Sequence, residues 1–186
     1  MKRNSSLISE SESETWISES ESRKKEIQAC VDWTYETLFP FVVVPKVRCF
    51  GSRAQNMFTE TSDWDFAVAV SEEQVGKADD IRNVIQQKLV GDQMVKNFFA
   101  TRDQAGKSTL VWKRDGDKVT TSLLVSSKSS MAMALATREF LRKFYRTHDY
   151  MRKSVLEIAE MLRTQKHMTT GSATDFSRGR AEKVIR

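Results

Sequence analysis

Two stretches decide the fold: Phe50-Gly51-Ser52-Arg53-Ala54, and Thr61-Ser62-Asp63-Trp64-Asp65-Phe66-Ala67-Val68-Ala69-Val70. The first closes an apolar segment, Val47 to Phe50, with a Gly-Ser pair, the mark of a tight bend. The second opens with Ser-Asp-x-Asp and continues as an apolar strand. Residues two apart on a strand leave the same face. Asp63 and Asp65 are therefore expected side by side, roughly 6–7 Å apart by strand rise. Two adjacent carboxylates repel unless a cation neutralises them. Hard oxygen donors on a rigid element suit Mg²⁺, which takes one or two carboxylates and completes its shell with water and phosphate. The turn just before them would offer backbone N–H groups and the Ser52 hydroxyl to a phosphate. Together these features point to phosphoryl-transfer chemistry.

At these residues the chain resembles the nucleotidyltransferase superfamily that includes DNA polymerase β. Within it, the pattern is similar to the poly(A) polymerase and terminal uridylyltransferase branch, which carries Phe-Gly-Ser and then Ser-Asp-h-Asp-h, h being apolar. Here these are Phe50-Gly51-Ser52 and Ser62-Asp63-Trp64-Asp65-Phe66. A weaker likeness continues through Thr137 to Tyr145 and His148 to Arg152, followed by a long amphipathic helix, so that it spans about residues 25–168. The resemblance implies that Gly51 and Ser52 contact nucleotide phosphates, and that Asp63 and Asp65 hold Mg²⁺ or Mn²⁺.

The same resemblance implies a third carboxylate on a later strand. The candidate strand, Lys118 to Val125, has no acid after Asp117, so Thr120 or Thr121 stands in that position. Asp115 and Asp117 belong to Arg114-Asp115-Gly116-Asp117, which reads as a hairpin turn. The Lys that the family directs at the triphosphate falls at Ala159 or Glu160. A neutral hydroxyl cannot replace a carboxylate's charge. A general base is worth about 10²–10⁴ in rate, and a two-metal clamp stabilises both reacting oxygens.

With 186 residues, the chain suits one domain with tails. Residues 1–22 are rich in Ser and Glu, as in Ser9-Glu10-Ser11-Glu12-Ser13-Glu14. That composition predicts a disordered tail. A domain over residues 23–168 and a flexible basic tail over 169–186 follow. The formal net charge is +5 and the first tail is net acidic, with five Glu against Lys2 and Arg3, so the rest of the chain is more basic than the average. This suits nucleic acid or polyphosphate partners. Arg138, Arg142 and Lys143 form a basic helix face that would track an RNA or triphosphate backbone.

The two cysteines, Cys30 and Cys49, supply neither a disulfide framework nor metal-ligand spacing. They read as small core residues of an intracellular protein. No apolar run approaches the length of a membrane span, and cytoplasm, nucleus and mitochondrion are not distinguished by any address. His148 and His167 lack partners at ligand spacing. Trp64, between the aspartates, faces the other way and reads as core.

Periodicity gives the order of elements. A helix over about 20–38 ends at Pro40, and a strand runs over Val47–Phe50. A short helix follows from Ser52, then a strand from Asp63 to Val70. A helix carries Ile81, Ile85 and Leu89. Three strands follow, at Val95–Thr101, Thr109–Lys113 and Val119–Val125. Ser126 to Ser130 reads as a link to two final helices. The expected fold is α+β, a mixed sheet of about five strands with helices packed on one face.

Two functions are compatible with these residues. One is a minimal template-independent RNA terminal nucleotidyltransferase that adds AMP or UMP to a 3′ end from a nucleoside triphosphate. The other is a catalytically impaired relative, a binding or regulatory subunit of an RNA-processing complex, with a protein partner supplying what is missing.

Overall fold

The computed structural model describes residues 10–55, 57–59, 61–95, 99–104 and 107–164. The elements run in chain order α1 (Glu10–Leu38), β1 (Val47–Phe50), α2 (Gly51–Ala54) and β2 (Trp64–Val70). After a 3₁₀ turn (Glu72–Lys77) come α3 (Ala78–Gly91), β3 (Phe99–Gln104), β4 (Lys107–Trp112), β5 (Thr121–Ser127), α4 (Lys128–Thr147) and α5 (Asp149–Thr164). The five strands form one sheet in the order β1-β2-β5-β4-β3. β2 and β5 pair in parallel and the other neighbours are antiparallel, so the sheet is mixed and the fold is α+β.

Alternation along the central strands creates the core. Trp64, Phe66, Val68 and Val70 of β2 join Leu123 and Val125 of β5, Leu110 and Trp112 of β4, and Ile27, Cys30, Val31 and Tyr35 of α1 with Ile81, Ile85 and Leu89 of α3. The stripe at 81, 85 and 89 is the helical period read from the sequence. The 3₁₀ turn that leads into α3 begins with a capping box, in which the Ser71 N–H donates to the Gln74 side chain at 3.2 Å. Gln74 also accepts the Tyr35 hydroxyl at 3.2 Å, which ties the turn to α1.

Two expectations are corrected. Helix α1 is described over Glu10–Leu38, so residues 10–22 are helical where composition predicted a disordered tail, and residues 1–9 of that tail lie outside the described residues. The end of this segment is anchored by Arg23, whose guanidinium bonds Glu19 one turn earlier and both carboxylate oxygens of Asp117, at 2.7 and 2.9 Å. Ser20 is buried. Tertiary anchoring overrides the low apolar content of this segment. Second, Ser126 to Ser130 is no link. β5 runs to Ser127 and α4 starts at Lys128, with the Ser127 hydroxyl accepting the Ser130 N–H at 3.0 Å as an N-cap. The first of the three late strands, read at Val95–Thr101, is described over Phe99–Gln104, and residues 96–98 lie outside the described residues. The basic tail read at 169–186 lies outside the described residues.

Helices α4 and α5 pack on each other, and α4 touches α2, β2 and β5. A second, smaller apolar cluster forms here from Met57, Tyr145 and Val155. Among the described residues, no helix is long and apolar enough to cross a membrane.

Candidate nucleotide site

The antiparallel register of β1 and β2 sets Phe50 opposite Asp65. The chain then turns at Gly51, which has φ +66° and is the first residue of α2. This turn lies directly against the acidic strand. A Cβ built on Gly51 would lie 2.1 Å from Asp65 Oδ2 and 2.9 Å from its Cγ. Only glycine supplies both the left-handed backbone and the empty volume. The carboxylate of Asp65 thus rests in a cradle that any other residue would fill.

Ser52 is 3% exposed, and its carbonyl accepts the N–H groups of Gln55 and Met57. This closes the short turn on itself. Asp63 stands one residue before β2 and is half-buried. The ladder already begins at its successor, since the Trp64 N–H donates to the Thr120 carbonyl at 2.9 Å. Trp64 is 2% exposed on the core side, as its place between the aspartates required.

Parallel pairing of β2 with β5 sets Ser122 opposite Asp65. The Ser122 hydroxyl donates to Asp65 Oδ1 at 2.7 Å. Thr120 and Thr121, read at the third position, stand elsewhere. Thr121 pairs with buried Trp64, and its hydroxyl accepts Arg23 on the core side at 3.1 Å. Thr120 contributes its carbonyl to the ladder. The side chain on β5 bonded to Asp65 is Ser122, which sequence reasoning passed over because the register was unknown.

Asp117 is held away from the pair by its bidentate contact with Arg23. Burial pushes its carboxyl up, but the hydrogen bond and charge of Arg23 outweigh this and hold it below the usual carboxylate range. Asp115 is exposed at the turn. Among the described residues no three His, Cys, Asp or Glu side chains converge. Among the described residues, the Asp65 carboxylate lies against the turn with the Ser122 hydroxyl bonded to it, and Asp63 stands two residues earlier in the chain. That set fits a single hard cation such as Mg²⁺ or Mn²⁺, which would take its other ligands from water and phosphate. Among the described residues no further carboxylate joins it to complete a clamp of two ions.

The basic face divides. The Arg138 guanidinium donates to the Cys49 carbonyl at 2.9 Å, linking α4 to β1. Arg142 and Lys143 are exposed. His148 stacks on Phe144 with ring centroids 4.6 Å apart and sits at the end of α4, a packing role. Ala159 and Glu160 both fall on α5.

No protein-family model and no curated protein sequence matches the chain. Solved structures do. A cytoplasmic RNA terminal U-transferase superposes with TM-score 0.58 at 15% identity, over 89% of this chain and 45% of that one. The Cid1 poly(U) polymerase bound to MgGTP gives 0.62 at 12%, over 88% and 48%. The GLD-2/RNP-8 complex gives 0.57 at 19%, over 78% and 54%. The chain therefore spans about half the length of the structures it matches. What it shares with them is backbone architecture: this chain has the nucleotidyltransferase fold, in the form found in terminal uridylyltransferases and the GLD-2 poly(A) polymerase.

Proposed function

We propose that this chain binds a nucleoside triphosphate with Mg²⁺ or Mn²⁺ at the Gly51–Ser52 turn and the Asp63/Asp65 pair. It then serves RNA 3′-end processing as a binding or regulatory subunit with impaired transfer activity of its own. The observation that carries this reading is the hydrogen bond to Asp65 from Ser122, a hydroxyl and not a carboxylate on the strand beside it. A bound cation would neutralise Asp63 and Asp65 and screen the phosphates. A hydroxyl at 122 brings no negative charge and no base to activate an attacking 3′-hydroxyl. The exposed Arg142 and Lys143 suit contacts to an RNA backbone. A protein partner would supply the catalytic function that is weak here.

A second reading, an active terminal nucleotidyltransferase adding AMP or UMP, is favoured by one observation: the Gly51–Asp65 contact, which keeps the turn and the acidic strand closely apposed. One experiment separates the two. The protein and its Asp63→Ala/Asp65→Ala variant are titrated with ATP and UTP in Mg²⁺ or Mn²⁺, and incubated with a labelled single-stranded RNA. Metal-dependent binding that the variant loses, without extension, supports the regulatory reading. Extension that the variant abolishes establishes the enzyme. Equal nucleotide binding by wild type and folded variant would defeat both.

A further inference from the structure

Arg53 lies between the Gly51–Ser52 turn and the acidic strand, and its side chain points inward. The residue is 6% exposed. Its Nε donates to the carbonyls of Ser62 and Asp63, at 3.1 and 3.2 Å, and its Nη2 donates to Ser62 at 2.7 Å. The guanidinium carbon stands 3.9 Å from the centroid of the Trp64 ring and 5.1 Å from that of Phe58. Trp64 is the residue between the two aspartates. The same planar group therefore grips the backbone entering the strand and the inner side of the strand's first residue.

This arrangement has a physical purpose that packing alone does not require. The Ser62 and Asp63 carbonyls precede the first residue of β2, and buried carbonyls need donors. Burying a guanidinium is costly, and an arginine keeps its charge when buried. Its carbonyl bonds and the ring face offset that cost. An arginine does this with a rigid fork and a flat face, where a lysine offers one mobile point charge.

We propose that Arg53 is a positioning residue that fixes the Asp63–Asp65 pair relative to the Gly51–Ser52 turn. The benefit to nucleotide binding rests on the reading given above; the mechanical coupling does not. Because Arg53 and the turn share α2, a displacement of Ser62 and Asp63 is also a displacement against Gly51.

The test uses the full chain with Arg53→Lys and Arg53→Met. Amide hydrogen exchange is measured without ligand, followed by titration with MgATP and MgUTP. The coupling predicts that exchange at Ser62 to Asp65 and in the turn rises by at least about tenfold in both variants, with α3 and β5 unchanged. It also predicts that nucleotide binding weakens by a similar factor in Arg53→Lys. Exchange that rises uniformly through α3 and β5 would reduce Arg53 to ordinary packing and overturn the proposal. So would an Arg53→Lys protein indistinguishable from wild type. Local loosening in a protein whose wild type binds no nucleotide would keep the coupling and remove the nucleotide reading.

Discussion

Gly51 and Asp65 are in such close contact that a methyl group on the first would occupy the space of the second's carboxylate, 2.1 Å from Oδ2. The contact follows from the β1–β2 register, which brings the end of one strand beside the second aspartate of the other. Gly51→Ala should therefore act twice. The left-handed backbone at φ +66° costs a residue with a Cβ about 1–3 kcal/mol. The displaced Asp65 should also abolish Mg²⁺-dependent nucleotide binding. Chemical denaturation and calorimetric titration on one sample check both effects.

Ser122→Asp should place a carboxylate against Asp65, where a hydroxyl now donates at 2.7 Å. Like charges directly opposite across strands destabilise by roughly 0.2–1 kcal/mol. The variant should melt lower than wild type in EDTA and recover the difference in Mg²⁺ or Mn²⁺. If the regulatory reading holds, it should also gain RNA extension over wild type. Melting curves and an extension assay with each nucleoside triphosphate decide the outcome.

Asp117 links the N-terminal half of α1 to the turn before β5 through Arg23. Its folded pKa is depressed, so its contribution is present above the unfolded carboxyl value of about 3.9 and is lost as pH falls through the folded one. Asp117→Asn should be less stable than wild type by about 1.5–3 kcal/mol at neutral pH. The difference should shrink below about pH 4. Denaturant midpoints measured between pH 3 and pH 7 give the comparison; a gap that is constant with pH would contradict it.

The basic residues of α4 should separate into two groups. Arg138→Ala removes a charged bond to the Cys49 carbonyl and should cost about 1–2 kcal/mol of stability. Arg142→Ala and Lys143→Ala alter exposed side chains and should leave stability within about 0.5 kcal/mol. Each should instead lower affinity for a single-stranded oligonucleotide and reduce the salt slope by about 0.7. Binding isotherms at several salt concentrations, beside denaturant melts, test the division.

Local chemistry alone determined much of this protein. Gly-Ser after an apolar strand, and Asp-x-Asp at the head of another, are short-range statements about backbone freedom and side-chain period. The turn and strands built from them appear at Phe50–Ala54 and Trp64–Val70. The burial of Trp64 followed from period two, and the α3 stripe from period 3.6. Tertiary structure decided what stands beside what. Ser122 meets Asp65 only through a parallel pairing of strands separated by 50 residues of chain between Val70 and Thr121, and no local pattern encodes that register. Helix α1 extends back to Glu10, with Arg23 finding Asp117 across 94 positions; composition reports only that the segment lacks apolar content. Arg53 was visible in the motif, yet its inward role depends on Trp64 and two carbonyls meeting it in space. Side-chain period is set by each residue's own backbone, whereas strand register and long-range ion pairs arise when distant segments close on a common core.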